Sequence, residues 1–380
     1  MADVQGSCDP RFDAVRDILA ANLESGADVG ASTAVMLEGE MVVDLWGGWA
    51  DEARTTPWRA DTITNVWSST KTMMALSALM LHSRGQLDFD APVAEYWPEF
   101  AANGKEGVLV RHLMSHTSGV SGWAQPVQVS DLYDWAKSTS MLAAQAPWWP
   151  PGTASGYHAF NQGHLVGEVI RRITGMQLGE FFRTQIAEPI GADFHIGLAP
   201  SEFGRVANVI PPPPLPIDLA TLDPEMVVVK TLTGPGADAS VAWTDEWRQA
   251  DIGAANGHGN ARSMALVQSA ISNGGVVNGV QLLSPQSIDQ IFRVQSDGID
   301  QVLMVPLKFG IGFGLPNESV PLPAGRRVCF WGGWGGSLVV NDLDNRLTFT
   351  FAMNRMGEGT LGDDRALTLL AAALAAIGAV

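Results

Sequence analysis

Between Thr72 and Leu81 the apolar positions fill every side of a helical projection: Met73, Met74, Ala75, Leu76, Ala78, Leu79, Met80 and Leu81 leave no polar face. This pattern predicts a helix buried all round. Near the start of the chain, Phe12, Val15, Leu19 and Leu23 fall on one side only, predicting an amphipathic helix. In "ASTAVMLEGEMVVDLWGGWAD" two β-rich runs flank Glu38, Gly39 and Glu40, the pattern of a hairpin. Further strands are expected in "KFGIGFGL", "RVCFWGG" and "GSLVVNDLDNRLTFTFAMN", the last two joined across Asp342 to Asn345. Asp363 and Asp364 open the alanine-rich run "ALTLLAAALAAIGAV", which reads as a C-terminal helix.

Sequential strands with short turns imply an antiparallel sheet. The first and last parts of the chain each supply strands and a helix, so they are expected to meet in one α/β lobe, residues 1–71 with 265–380. Between them, residues 72–264 read as helical pieces broken by loops rich in Pro, Gly and Trp, including "APWWPPGTASGY" and "VIPPPPLPIDLA". The run Pro211 to Pro214 continues neither helix nor central strand and predicts a stiff extended loop, lining a cleft or linking elements at the surface. The predicted architecture is a mostly helical lobe inserted into a split α/β lobe, with "WSSTK" at the junction, where clefts form.

Composition narrows the partners. The chain has 380 residues, enough for two lobes of one enzyme-sized unit, and 40 acidic against 23 basic residues give a net charge of −17. That balance argues against nucleic acid or an anionic membrane as a partner. Acidic residues stand where a signal peptide needs a basic start, and the C-terminal apolar run is short for a membrane span. Cys8 and Cys329 give neither a disulfide framework nor a metal spacing, so a cytoplasmic protein without metal or cofactor is expected.

The lysine in "WSSTK" is the anomaly. Hydroxyls there can cap the first turn, but a cation is disfavoured at a helix N-terminus and costly to bury. One structural explanation is that Lys71 snorkels to a distant carboxylate. A chemical one is that Ser68, three residues earlier, lies on the same helical face. Burial pushes an amine toward its neutral form, which can take a proton from a serine hydroxyl. Ser69 and Thr70 lie on other faces, as packing and capping candidates. No serine stands in a Gly-x-Ser-x-Gly frame; Ser121 and Ser337 come nearest. Of the seven histidines, His112 and His116 are one helical turn apart and read as a packing pair. A lysine base fits better than a histidine base.

Together these residues resemble the serine β-lactamase and penicillin-binding-protein superfamily, specifically the class C β-lactamase-like branch that includes the family VIII carboxylesterases. "LMSHTSGV" resembles the segment that closes a helix after the nucleophile, "PPGTASGYHAFNQGHLVGEVIRRITG" the segment of the second motif, and "CFWGGWGGSLVVNDLDNRLTFTFAMNRM" the closing strands with the third. The resemblance spans roughly residues 31 to 356 in order. It implies the β-lactamase-like fold, with the active site between the lobes. It further implies Ser68 as nucleophile, Lys71 as its base and Tyr157 as the proton-exchanging tyrosine, where a nearby Lys⁺ would favour a phenolate. The N–H groups of Ser68 and Trp334 would form the oxyanion hole. Trp331, Gly332, Gly333 and His158 would contact substrate.

Two departures bear on substrate. Tyr157-His158-Ala159 replaces Tyr-x-Asn, removing a carboxamide, and Trp331-Gly332-Gly333 replaces Lys-Thr-Gly, removing a cation that holds a substrate carboxylate. Both point to the esterase branch. The expected function is therefore a serine carboxylesterase, hydrolysing or transacylating small esters. The rivals are a β-lactamase, peptidase or amidase using the same residues, and a catalytically silent binding protein of this fold.

Overall fold

The computed structural model describes residues 3–214, 218–320, 322 and 325–379. Its centre is a nine-stranded antiparallel sheet. In chain order the strands are β1 (Val4–Cys8), β2 (Gly30–Leu37), β3 (Glu40–Gly48), β4 (Ser296–Ile299), β5 (Pro306–Phe309), β6 (Gly314–Leu315), β7 (Val328–Gly332), β8 (Leu338–Asp342) and β9 (Leu347–Met353). They lie side by side as β1-β3-β2-β9-β8-β7-β6-β5-β4, so strands from the two ends of the sequence meet where β2 pairs with β9. The expected hairpin is present: Glu38 and Gly39 both take positive φ, 53° and 88°, between β2 and β3. Such a turn matches the twist of the strands it joins.

Five longer helices flank the sheet or fill the inserted segment: α1 (Asp13–Ser25), α2 (Thr70–Ser83), α3 (Asn161–Thr174), α4 (Ala261–Ser272) and α5 (Asp364–Ala376). Strand β9 shows why the sheet needs cover on both faces. Thr350 Oγ1 donates to the carbonyl of Ala261, and Thr348 Oγ1 meets Ser272 Oγ at 2.8 Å, both on α4. Phe351, one step along, instead lies under Arg365 of α5. Alternate side chains thus face opposite layers, and every residue of β9 is buried. The α1 helix buries Val15, Leu19 and Leu23 as expected, while Asp363 caps α5 by accepting from the backbone N–H of Arg365 and Ala366.

The inserted segment packs against this lobe through α2, which is buried from Thr70 through Leu81. A small sheet that the sequence pattern does not reveal, residues 206–207, 63–65 and 258–259 side by side, leads the chain into α2. The expected lobe boundaries, 71/72 and 264/265, each cut a helix, because the polar starts of α2 and α4 lie a few residues earlier than the hydrophobic contrast suggests. Strand β1 was also not expected: its "VQGSC" lacks alternation, and backbone pairing to β3 holds it at the sheet edge. Pro211 to Pro214 lie outside helix and strand, anchored upstream where Ile210 pairs with Arg355 beyond β9; Leu215, Pro216 and Ile217 fall outside the described residues. No helix among the described residues is long and apolar enough to cross a membrane.

Leu79 is fully buried in α2, whereas Ile299 is 66% exposed at the sheet edge. Leu79→Ala should lower unfolding free energy by about 2–5 kcal/mol in urea titrations, and Ile299→Ala should stay within about 0.5 kcal/mol. Equal losses would contradict the placement of α2 in the core.

Candidate active site

Residues 62–81 are buried with one exception, Ser68, which is partly exposed. The chain reaches it through Trp67, held at φ 48°. For a bulky residue that conformation costs roughly 1–3 kcal/mol and persists only where packing imposes it. Here the Trp67 ring lies 5.5 Å from Trp247 and 5.0 Å from Trp334. Thr70 Oγ1 donates to the Trp67 carbonyl (2.5 Å) and accepts from Gly257 N–H (2.8 Å). Thr70 therefore pins the turn rather than capping it. Ser69 turns inward to Ser337 Oγ, 2.9 Å away, and Ser337 also donates to the Val66 carbonyl.

Lys71 points to the same face as Ser68, with Nζ 3.1 Å from Oγ. The amine is 3% exposed, and it lies 2.8 Å from the Ala159 carbonyl and 2.9 Å from that of Ala254. None of these partners is a carboxylate, which removes the reading of Lys71 as a snorkelling ion-pair member. Burial holds its pKa well below the ordinary 10.5. A neutral amine has two N–H bonds and one lone pair. The two carbonyls take the N–H bonds, leaving the lone pair for the Ser68 hydroxyl.

Tyr157 completes the cluster. It is hydrogen-bonded to Ser68, accepts from Trp331 Nε1 at 3.3 Å, and has Lys71 Nζ 4.7 Å from its ring centroid. Burial raises the phenol pKa above the ordinary 10 despite the bonds from Ser68 and Trp331. Burial thus opposes the charged forms of both Lys71 and Tyr157, against the Lys⁺-stabilised phenolate considered from the sequence. Its backbone is fixed by buried Asp300, whose Oδ1 accepts from the N–H groups of Tyr157, Val302 and Leu303 at 3.1, 2.9 and 2.9 Å.

Opposite Ser68, β7 ends in Trp331 and Gly332 and continues into Gly333 and Trp334. A Cβ on Gly333 would stand 2.3 Å from the Val66 carbonyl oxygen and 3.3 Å from Ser68 N, and one on Gly332 would stand 2.5 Å from the backbone of Leu361. Only glycine allows this approach. Among the described residues, no acceptor takes the N–H of Ser68 or that of Trp334. Two free donors, a hydroxyl, a neutral amine and a phenol therefore share one cleft. No group of three His, Cys, Asp or Glu among the described residues forms a metal-ligand set.

A family model described as "Beta-lactamase" matches residues 15–374. The chain belongs to the beta-lactamase family. The esterase/beta-lactamase LipL of Mycobacterium tuberculosis is 36% identical to it over 364 residues, covering 93% of this chain and 83% of that protein. The structure of a family VIII carboxylesterase superposes with a TM-score of 0.92 at 42% identity, covering 98% of this chain and all of the other. A penicillin-binding-protein homologue from Caulobacter crescentus gives 0.91 at 36% identity over 98% and 100% of the two chains.

Three histidines of this beta-lactamase-family chain sit differently from their sequence reading. His158 does not face substrate: its ring is fully buried, with Nε2 2.6 Å from Ser118 Oγ and Nδ1 2.6 Å from the Gly156 carbonyl. Its neighbour Tyr157 takes the cleft side, and burial lowers the imidazole pKa to about 3. His112 and His116 do not form a packing pair. His112 accepts from Leu109 N–H, whereas His116, at φ 62° beyond the helix end, lies 4.8 Å from the Tyr157 ring and accepts from His158 N–H. Asp300, Phe309 and Ser337 also shape the site. Of these, only Ser337 carried a sequence signal, as a near miss to a serine elbow.

The burial of Lys71 can be read by NMR on protein with labelled lysine side chains. Two lysine resonances should titrate below the ordinary 10.5, that of buried Lys105, lowered to about 8, and that of Lys71, and only one of them should vanish in Lys71→Met; a Lys71 titrating near 10.5 would contradict the structure.

Proposed function

We propose that this chain is a serine carboxylesterase working through an acyl-enzyme on Ser68. The observation that carries the reading is the alignment of the half-buried Ser68 hydroxyl with a buried amine whose two N–H bonds are already occupied. Ser68 Oγ attacks the ester carbonyl while its proton passes to Lys71. The resulting ammonium has three N–H bonds, and three acceptors already surround it: Ser68 Oγ and the carbonyls of Ala159 and Ala254. The oxyanion is received by the N–H groups of Ser68 and Trp334. Tyr157, between Ser68 and Trp331, passes its proton to the departing alkoxide and takes one back from the Lys71 ammonium by way of Ser68 Oγ, which both touch, so that both groups end the step neutral. Water or another alcohol then takes the acyl group.

The walls favour neutral esters. Trp331 packs with Tyr157, Val302, Leu307 and Phe309 in an apolar cluster where the family pattern has a lysine. Arg365, which reaches the adjoining turn at the Gly335 carbonyl, is paired with Asp28 and Asp363. Among the described residues a substrate carboxylate thus meets no free cation there. A second reading, β-lactam hydrolysis, is supported by the name of the LipL relative, which joins both activities. A cytoplasmic setting fits the two free cysteines, Cys8 and Cys329.

A panel of p-nitrophenyl butyrate and a chromogenic cephalosporin separates the readings. Wild type should hydrolyse the ester and leave the lactam essentially untouched. Ser68→Ala should lose at least about 10³ in kcat, while Ser69→Ala should stay within about tenfold. Full turnover by Ser68→Ala would sink the proposal, rapid cephalosporin turnover would favour the second reading, and an inert wild type the silent binding protein.

The pH profile follows from the two shifted groups. Because the folded pKa of Lys71 is lowered, kcat/KM should fall on the acid side as Lys71 gains its proton, and be level above that ionisation. Because Tyr157 is raised above 10, no alkaline limb should appear below pH 10. A rate still climbing up to pH 10.5, the ordinary lysine value, would contradict a depressed Lys71.

A further inference from the structure

The Trp334 N–H works as an oxyanion donor only if its peptide plane is held, and that plane lies in a turn of consecutive glycines. Gly335 and Gly336 take φ of 94° and 120°, a region in which glycine resists neither distortion nor flipping by its own sterics. Outside bonds must fix the turn. The Gly333–Trp334 peptide presents its carbonyl to the N–H of Gly336 at 3.1 Å, which leaves its N–H aimed away from the turn interior. The Gly335–Gly336 peptide supplies that N–H. Its carbonyl, at the other end of the same plane, accepts from Arg365 Nη2 at 2.8 Å and from Gly357 N–H at 2.8 Å.

Arg365 is itself immobilised. Its Nη1 donates to Asp28 Oδ1 at 2.7 Å and to the Arg355 carbonyl at 2.9 Å, and its Nε and Nη2 donate to Asp363 Oδ2 at 3.0 and 2.5 Å. Asp28 is fully buried, and Asp363 is the N-cap of α5. A Cβ on Gly336 would stand 2.4 Å from Asp363 Oδ2 and 2.8 Å from Arg365 Nη2, so the turn lies directly against the ion cluster. Every N–H of the guanidinium is engaged within the protein, leaving none for a substrate.

We propose that Arg365 is a positioning residue for the oxyanion hole. Through two successive peptide planes, Gly335–Gly336 and then Gly333–Trp334, it aims the Trp334 N–H at the space before Ser68. The inference rests on the proposed acyl-enzyme chemistry and adds to it the element that sets the donor's direction. Asp28 and Asp363 serve as the anchor that keeps the guanidinium planar against the turn, a task for a two-armed fork rather than a point charge.

The test uses the full chain with Arg365→Lys, which keeps the charge but cannot span Asp28 and Gly335, and Arg365→Ala. Assays run at about pH 8, where the Asp28 carboxyl, lifted by burial to about 6, is ionised. On p-nitrophenyl butyrate both variants should lose on the order of tenfold to a hundredfold in kcat with KM within about twofold, less than the 10²–10³ lost when an oxyanion donor is removed. A boronic acid, which forms a tetrahedral adduct with the serine, should bind more weakly by the same factor. Millimolar guanidinium should restore part of the rate in Arg365→Ala but not in Arg365→Lys.

A folded Arg365→Lys with unchanged kcat, or with a raised KM alone, overturns the proposal; the second result would make Arg365 a substrate ligand. Should Arg365→Ala fail to fold, Arg365→Lys carries the same comparison, and loss of folding in both with normal boronate affinity in any recovered protein also overturns it. Phosphonylation of Ser68 by a fluorophosphonate separates the two levels. A wild type that reacts but shows equal rates in the variants refutes the role of Arg365 alone, whereas a wild type that neither hydrolyses esters nor reacts refutes the acyl-enzyme reading and this proposal together.

Discussion

Lys71 occupies the first turn of α2, where the helix dipole and the loss of hydration both oppose a positive charge. Nothing nearby offsets them with a negative one: its partners are the hydroxyl of Ser68 and the carbonyls of Ala159 and Ala254. A neutral amine is the consequence, and the rest of the site is arranged around it. The two carbonyls come from segments far apart in sequence, so the direction of the lone pair depends on the inserted lobe and on the loop before α4 being in place together. A protonated Lys71 would need a developing negative charge to face it, and the proposed acyl transfer would supply one.

The fold supplies the other half through the sheet. Strand β7 ends beside the start of α2, and the contact is closed by Ser337 reaching both Ser69 and the Val66 carbonyl. Gly333 lets the backbones approach, and the strained Trp67 presents Ser68 between them. The interaction is directional on both sides. The turn that opens α2, closed by the Lys71 N–H donating to the Ser68 carbonyl at 3.0 Å, fixes Ser68 and Lys71 relative to each other, and the glycine turn is tied to α5 by Arg365. The proposed preference for neutral esters rests on what is missing: Trp331 donates to Tyr157 and packs against Phe309, so the position that could have carried a cation supplies an apolar wall instead.

Much of this was legible in the sequence because it rests on local pattern. The buried helix was visible in the unbroken apolar projection from Thr72 to Leu81, the β2–β3 hairpin in Glu38-Gly39-Glu40, and the α5 cap in Asp363. The pairing of Ser68 with Lys71 needed only helical spacing. What the pattern did not carry were relations between distant residues. Asp300 holds Tyr157 across 143 positions, and Arg365 reaches Gly335 across 30; neither has a local signature. His116 misled because helical spacing to His112 was assumed past the helix end, where its φ turns positive. His158 misled because adjacency to Tyr157 along the chain does not place it on the same side of an extended segment.

The central claim is that Ser68 forms a covalent acyl intermediate. The direct measurement is mass spectrometry of protein quenched in acid during turnover of a slow ester, followed by tryptic mapping of the peptide from residue 60 to Lys71. The account predicts the acyl mass on that peptide, fragmenting to Ser68 rather than Ser69 and absent in Ser68→Ala. Ester turnover with no modified peptide, or with the acyl group on a different residue, would contradict it.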